Sequence, residues 1–444
     1  MNNENTMKKT GFISKLLLCA IFLSVPFLFS NFRFHSQYVI VTRSQFGPFE
    51  DGVFSADSFS PRVILNSSSN QSTTWSLKPP PYTQQESFAA CILVLDQNHR
   101  LTEWIAYHYF ALPLRTLIIA YDPKTTDRAT PLLERWKDVI EIIEWEDKDY
   151  LPPQWTKRVQ PGIHGTKNLP PDVALPVAIH RQRQISFMHK CTQAVAAKNV
   201  ARVIHHDVDE YFRVNTNVVS QDLVNTAEPG HITQFLNRLE QAKSTLFPSA
   251  KGIAYGTSCS VFPRLQYTPI AEETNRAKSN RTHPIDPYYF DTLRYPYRNS
   301  AEIMEGKGII NMKLIPPRAL KDKTTIQYRV HKPLNRLCKE STPNSTLFVF
   351  NHYMGSFESF LYSARNDPRN EPTRAKWEER VQAGGGMGKA RTAWQQDPPL
   401  LDDAITNWVP AFVEWQSEEV ASWLLRDTGL RAVDWQPPPV NSVQ

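Results

Sequence analysis

Between residues 90 and 145 the chain alternates short apolar runs with stretches of helical spacing. Ala90 to Leu95 is apolar over a strand's length, and Leu101 to Ala111 repeats its apolar residues at helical intervals. Thr116 to Tyr121 is apolar again, Pro131 to Lys137 is helix-like, and Val139 to Trp145 closes the series. This alternation predicts a mostly parallel sheet flanked by helices. A longer helix is predicted over His180 to Lys198, feeding an apolar strand that starts at Ala201 and runs into Asp207. Beyond it the order loosens, with apolar runs at Gly252 to Tyr255, Ile309 to Ile315, Ile326 to Val330 and Leu347 to Phe350, and no internal repeat is visible.

The amino-terminal pattern is different. Lys8, Lys9 and Lys15 precede an apolar segment, Leu16 to Phe32, broken only by Ser24, Pro26, Ser30 and Asn31. A span needs about 17 residues or more, and no small-x-small cleavage site follows, which favours an uncleaved anchor over a removed leader. The lysines place residues 1–15 in the cytosol and everything after Phe32 in the lumen, a type II topology. Residues 33–86 are rich in Ser, Asn, Gln and Pro, end near Lys78-Pro79-Pro80-Pro81 and lack a sustained period, which predicts a stem. The globular part is expected over 87–365. It is followed by an extension, 366–444, whose helix-like stretches Asp402 to Val413 and Glu418 to Leu425 read as packing elements beyond Gly384-Gly385-Gly386.

At 444 residues and 41% hydrophobic the chain can bury a large core. A formal net charge of +6 without a basic block gives a nucleic-acid role no support. Sequons at Asn66, Asn70, Asn280 and Asn344 all fall on the expected lumenal side. Of the cysteines, Cys19 lies in the apolar segment; Cys91, Cys191, Cys259 and Cys338 lie where the compartment permits one or two bridges of unreadable connectivity. No Cys/His spacing marks a zinc site.

Candidate chemistry concentrates at His205-His206-Asp207-Val208-Asp209-Glu210-Tyr211-Phe212, where an apolar strand runs into carboxylates. The carboxyl ends of strands in an α/β sheet are where ligands bind. Mg²⁺ or Mn²⁺ is commonly held there by one or two carboxylates plus substrate phosphates. An isolated Asp-x-Asp is more often a solvated turn, so context decides. Side-chain alternation sends one of His205 and His206 into the core, which makes neither a strong metal ligand.

Four segments carry a family resemblance. They are Cys91-Ile-Leu-Val-Leu-Asp-Gln-Asn98 with Leu101-Thr-Glu-Trp-Ile-Ala-Tyr-His108; the strand Leu117 to Tyr121 with Asp122 and Asp127 after it; Asp207-Val-Asp-Glu-Tyr-Phe212; and Asn351-His352-Tyr353 with Ser359 downstream. Over roughly residues 88 to 365 the chain resembles glycosyltransferase family 92 and its relatives. The resemblance implies an α/β, GT-A-type nucleotide-sugar-binding fold with a mixed central sheet, here preceded by a transmembrane helix and stem. It also implies transfer of a hexose, such as galactose, from a UDP-sugar to a glycan acceptor with inversion, in the Golgi or ER lumen. Mn²⁺ or Mg²⁺ would be held by Asp207 and Asp209, with His352 either a third ligand or a satisfied structural histidine. Asp96 and Asp122 would contact base and ribose, turn-capping being the alternative for each, and Lys307, similar to the family's Lys before a strand, would meet phosphate, an ordinary exposed lysine at a strand start being the alternative. The chain departs from the family where Asp96-Gln97-Asn98 replaces Lys-Asn-Glu.

An inverting transfer needs a base for the acceptor hydroxyl, and Glu272, Glu273, Asp286, Asp291, Glu302 and Glu305 all qualify by type. Gly256-Thr257-Ser258 followed by Glu272-Glu273 is similar to the family's Gly-Ser-Ser segment and later Glu-Arg pair, which favours Glu273. Tyr288, Tyr289, Phe290, Tyr295 and Tyr297 offer faces for a sugar or for ordinary packing. Two alternatives stand beside the transferase. One is a catalytically inactive lumenal carbohydrate-binding or scaffold protein of the same fold, hinted at by the altered turn at Asp96. The other, a glycoside hydrolase, needs carboxylates farther apart than Asp-x-Asp allows.

Overall fold

The computed structural model describes residues 76–161, 167, 169–242, 257–267, 269, 285–321, 328–341, 346–364, 373–382 and 400–430. The expected membrane anchor, most of the stem, the run 252–255, Glu272, Glu273 and the glycines 384–386 lie outside the described residues. Among the described residues no helix is long and apolar enough to cross a membrane.

Strands β1 (Phe88–Val94), β2 (Leu114–Tyr121), β3 (Glu141–Trp145) and β4 (Arg202–His205) are the four read from the sequence. They pair in parallel in the order β3-β2-β1-β4, with Ile92 opposite Ile119 and Ala89 opposite Val203. Helix α1 (Asn98–Ala111) joins β1 to β2, and α2 (Pro171–Ala196) leads to β4. The second helix begins nine residues before the predicted His180 despite Pro171 and Pro176. Pro171 stands in its first turn, where a missing N–H costs no helical hydrogen bond.

The expectation of a mostly parallel sheet holds only for this half. The later strands are β5 (Glu210–Val214), β6 (Cys259–Tyr267), β7 (Tyr297–Asn311), β8 (Cys338–Glu340), β9 (Phe348–Tyr353) and β10 (Leu400–Leu401). The path continues from β4 through β7, β6 and β9 to β5, with β8 against β6 and β10 against β7. Here β7 is antiparallel to β4 and β6, and β5 is antiparallel to β9, giving the mixed sheet implied by the resemblance. Strand β6 was not legible in the sequence because Pro263 interrupts it. Proline cannot donate to the ladder, and the register slips there, between Phe262 and Arg264.

Side chains alternate across the sheet and so divide the core in two. Ala90, Ile92, Val94 and Ile204 face the side of α1, while Ala89, Cys91 and Val203 face α2 with Phe187 and Cys191. Helix α1 is buried along nearly its whole length. Its polar tips find backbone partners: Trp104 Nε1 donates to Glu210 O at 3.2 Å and Tyr107 Oη to Phe212 O at 2.8 Å. Carboxy-terminal helices α3 (Trp408–Gln416) and α4 (Glu418–Leu425) pack on the far side of α1 in the same core. Just ahead of them Asp402 accepts from Arg213 at 2.6 Å and Arg298 at 2.9 Å. The last residues of the predicted stem lie on this unit too: Gln416 exchanges two hydrogen bonds with the Lys78 backbone, and Leu77 is buried.

Two disulfides, Cys91–Cys191 and Cys259–Cys338, supply the connectivity that spacing left open. The first ties β1 to α2 across a sequence separation of 100. Closing so long a loop in the unfolded chain predicts roughly 2–5 kcal/mol of stabilisation. The double variant Cys91→Ala, Cys191→Ala is expected to unfold at a clearly lower urea midpoint and with a slope at least as steep, because the unlinked chain unfolds to a more exposed state. An unchanged midpoint would show that the link is mechanically idle.

Candidate functional site

Strands β1, β2 and β4 run parallel, so their carboxyl ends share one edge of the sheet and deliver Asp96, Asp122 and Asp207 to it. Asp96 is buried in the left-handed region, φ 50°. Its Oδ1 accepts from the backbone of Thr126 and Asp127, and its Oδ2 from Thr126 Oγ1, each at 2.9 Å. Both oxygens are thus engaged in shaping the turn after β2. Asp122 instead meets Arg183 Nη1 from α2 at 3.1 Å, and Arg183 Nε reaches Asp147 at 2.9 Å, with its guanidinium 5.3 Å from the Trp155 ring centre.

The turn from β4 into β5 carries the remaining acids. Asp207 N donates to Glu210 Oε2 at 2.9 Å, and Glu210 N to Asp207 O at 3.1 Å, which folds the Asp-x-Asp segment back on itself. Glu210 is fully buried. Burial opposes its ionisation, but Lys307 and Arg264 outweigh that and hold its carboxyl below the ordinary range. Arg264 Nη1 lies 2.7 Å from Oε1 and Lys307 Nζ 3.2 Å from Oε2. Lys307 Nζ also reaches Asp207 Oδ2 at 2.6 Å. The sequence placed this lysine before a strand and allowed it an exposed tip; it lies inside β7 with its side chain 1% exposed, because two carboxylates from the β4–β5 turn pair with it. The Asp207 side chain, by contrast, is 54% exposed.

Asp209 sits deeper. Its Oδ2 faces Arg100 Nη1 at 3.2 Å and His352 Nε2 at 3.5 Å, while its Oδ1 is buried without a hydrogen-bond partner. Burial works against its charge, and His352, Arg100 and Lys307 together still drive its carboxyl well below the usual carboxylate range. His352 reaches the site because β9 pairs with β5, register Glu210 to His352. Its Nδ1 lies 2.6 Å from Gln266 Oε1, and the Gln266 amide nitrogen points to Tyr267 O at 3.4 Å. Nδ1 therefore donates to Gln266, and Nε2 is the atom that His352 turns toward Asp209. A protonated ring would satisfy that carboxylate as an ion pair, whereas a neutral ring leaves beside it a lone pair that a bound cation would take.

That arrangement fits a hard divalent ion. Asp209, Glu210 and His352 offer ligand atoms within 4.8 Å of one another. Glu210 already receives Arg264 and Lys307, so the donors left open are Asp209 Oδ1 and His352 Nε2, with Gln266 fixing the imidazole from behind. Of the ligands expected from sequence, the structure brings Asp209 and His352 together and turns Asp207 toward Lys307 at the mouth.

Comparison with known proteins adds little at this point. No family model matches the chain, and no curated protein matches it. Mouse xyloside xylosyltransferase 1, in its apo form, is similar over 56% of this chain and 76% of its own, at 11% identity and a TM-score of 0.21. Residues 1–349 of S. aureus TarS are similar over 75% of this chain and 82% of their own, at 9% identity and a TM-score of 0.25. At these scores neither likeness decides the chemistry. The resemblance to family 92 therefore rests on the motifs alone.

Other residues in the site escaped sequence reasoning. Arg100 and Arg264 have no local pattern that sets them apart from solvated charges, and Glu210, though quoted in the acidic motif, was given no role; only the approach of distant strands makes them partners. Among the candidate bases, Asp286 accepts from Tyr288 N at 2.9 Å and caps a short turn, and Asp291 pairs with Arg100 Nε at 3.2 Å. Glu273 and Glu272 are outside the described residues, as are the side chains of Glu302 and Glu305. His205 and His206 are both buried, and burial, then the Lys307 charge, keeps each neutral well below its ordinary range. Phe290 and Tyr295 belong to the core, whereas Tyr288, Tyr289 and Tyr297 are half-buried.

Proposed function

We propose that the chain is a glycosyltransferase that takes a sugar from a nucleoside-diphosphate donor with a divalent cation, Mn²⁺ or Mg²⁺, held at Asp209 and His352. The observation that carries this reading is the buried, unpartnered Oδ1 of Asp209, whose side chain faces His352 Nε2, at the carboxyl edge of the parallel half of the sheet. A bound cation supplies charge neutralisation to the departing diphosphate. Lys307 adds a fixed positive charge at the mouth beside Asp207. Asp122, held by Arg183, stands on the same edge and suits the ribose or base of the nucleotide. In the reaction the acceptor oxygen bonds to the anomeric carbon as the bond from that carbon to the diphosphate oxygen breaks. The electron pair leaves on the diphosphate and the hydroxyl proton passes to a carboxylate base, for which the motifs favour Glu273.

The motifs favour a UDP-hexose donor such as UDP-galactose, a glycan acceptor and inversion. The Lys-flanked apolar segment at residues 16–32 and the four sequons favour a type II membrane protein of the Golgi or ER. The test is calorimetric titration of UDP and a panel of UDP-sugars into the purified full-length protein, with and without Mn²⁺. Tighter nucleotide binding with Mn²⁺, by about tenfold or more, is expected, because a cation that bridges protein and diphosphate couples the two equilibria. Binding indifferent to Mn²⁺ contradicts the metal's role. No nucleotide binding by folded protein leaves a carbohydrate-binding or scaffold role as the better account.

A further inference from the structure

Helix α1 contributes a charged side chain to the site that the transfer chemistry does not itself require. Arg100 is nearly buried and divides its guanidinium three ways: hydrogen bonds from Nη1 to Asp209 Oδ2 at 3.2 Å and from Nη2 to the Met354 carbonyl at 2.9 Å, and an ion pair, without hydrogen-bond geometry, between Nε and Asp291 Oδ2 at 3.2 Å. The space it occupies exists because residue 355 is glycine. A Cβ there would stand 1.9 Å from Arg100 Nη2, and the backbone at Gly355 has φ +75°, which a side chain rarely adopts. One turn along the same helix, Glu103 accepts from the backbone N–H groups of Asp291 and Thr292 at 2.8 and 3.0 Å and from Thr292 Oγ1 at 2.5 Å. Thr292 Oγ1 in turn receives Trp408 Nε1 at 2.9 Å. Arg100 and Glu103 therefore pin the segment carrying Asp291 to α1 from two directions, and Asp291 pins Arg100.

A carboxylate that offers one oxygen to a fixed guanidinium cannot turn freely. With Oδ2 taken by Arg100, Oδ1 of Asp209 is left pointing where no protein donor reaches it. We propose that Arg100 is a positioning residue for the cation site: seated over Gly355 and braced by Asp291 and Glu103, it sets the rotamer of Asp209 that presents Oδ1 and His352 Nε2 together. This inference rests on the metal-dependent reading given under Proposed function. The brace also accounts for the buried Glu103 in the Glu-Trp-Ile-Ala-Tyr-His motif, which otherwise has no part in the site.

The experiment is Mn²⁺ binding to the full-length protein, followed by loss of the free-ion electron paramagnetic resonance signal, for wild type, Arg100→Lys and Gly355→Ala. Metal-free melting temperatures are recorded alongside. A lysine keeps the charge but has no planar fork to reach three acceptors. Loss of such a supporting partner typically weakens metal binding about 10–100-fold, and that is the shift expected for Arg100→Lys. Gly355→Ala, which displaces Arg100 without touching a ligand, is expected to shift binding in the same direction. A merely structural role would lower melting temperature and leave the Mn²⁺ dissociation constant of the folded fraction unchanged. Wild-type affinity in folded Arg100→Lys overturns the inference while leaving the function intact; if that variant does not fold, wild-type affinity in Gly355→Ala does so. Absence of Mn²⁺ binding by wild type overturns both.

Discussion

Asp209→Asn is expected to lower sugar transfer at least about 10³-fold and to abolish Mn²⁺-dependent nucleotide binding, while the far-ultraviolet circular dichroism stays that of the wild type. The substitution keeps the shape of the side chain and removes one charge. Several kcal/mol of stabilisation of the leaving diphosphate depend on that charge, and each 1.4 kcal/mol is about tenfold in rate. Asp207→Asn should cost less, because Asp207 is half exposed and its one paired oxygen belongs to Lys307 rather than to the enclosed donor pair. The ordering of the two effects is the informative part. Equal losses would place the cation at the mouth, between Asp207 and solvent, and would contradict the account of His352. A folded Asp209→Asn protein with wild-type turnover would remove the metal site altogether.

The native state is expected to weaken as pH falls through the histidine range. His108, His205, His206 and His231 are buried. Burial is the largest cause in each case, pushing His205 down to about 3, His231 to about 4, and His108 and His206 well below 6.5. A base whose folded value is depressed takes up its proton first in the unfolded chain. Its contribution to stability is therefore whole above about pH 6.5 and is lost progressively as pH falls toward the folded value, at roughly 1.4 kcal/mol per pH unit for each group. His205 and His231 alone should cost the native state roughly 3 kcal/mol between pH 6.5 and 5. Asp209 and Glu210, whose carboxyls are lowered, lose their contributions in the same direction but only below the ordinary carboxylate range near pH 4. A loss that starts near pH 6.5 thus belongs to the histidines. Urea unfolding at pH 7.5, 6.5, 5.5 and 5 measures it against the opposing contribution of Glu103, whose carboxyl is pushed up to about 8 by burial and which therefore stabilises the native state as pH falls over the same interval; stability that rises throughout would mean that these rings gain solvent or partners before they titrate.

Local pattern made the parallel half of the sheet legible. The apolar runs at β1, β2 and β4 are buried on both faces, and α1 carries its apolar residues at helical spacing, so periodicity alone located them. Strand β5 was hidden inside what reads as an acidic motif, since Glu210 and Arg213 are charged yet buried, each neutralised by a residue far away in sequence. Pro263 masked β6. At the site, Asp209 and His352 were named from residue type, strand-end placement and motif, and the structure brings the two side chains together. Lys307 was named but misplaced, and Arg100 was not named at all, because pairing across 100 residues or more leaves no trace in local sequence. Asp96 was read as a nucleotide contact with turn-capping as the alternative; the turn it builds with Thr126 and Asp127 depends on side-chain and backbone atoms about 30 residues apart, a contact that a turn rule based on neighbours cannot see.

The central claim is that a divalent cation sits between Asp209 and His352. Crystals of the protein grown with UDP and Mn²⁺, measured at the manganese absorption edge, test it directly. The account predicts an anomalous peak about 2.0–2.3 Å from Asp209 Oδ1 and His352 Nε2, with diphosphate oxygens completing the shell. Bound UDP with its diphosphate resting on Lys307 and Arg100, and no peak at Asp209, would contradict it and assign the charge of the leaving group to the protein's own cations.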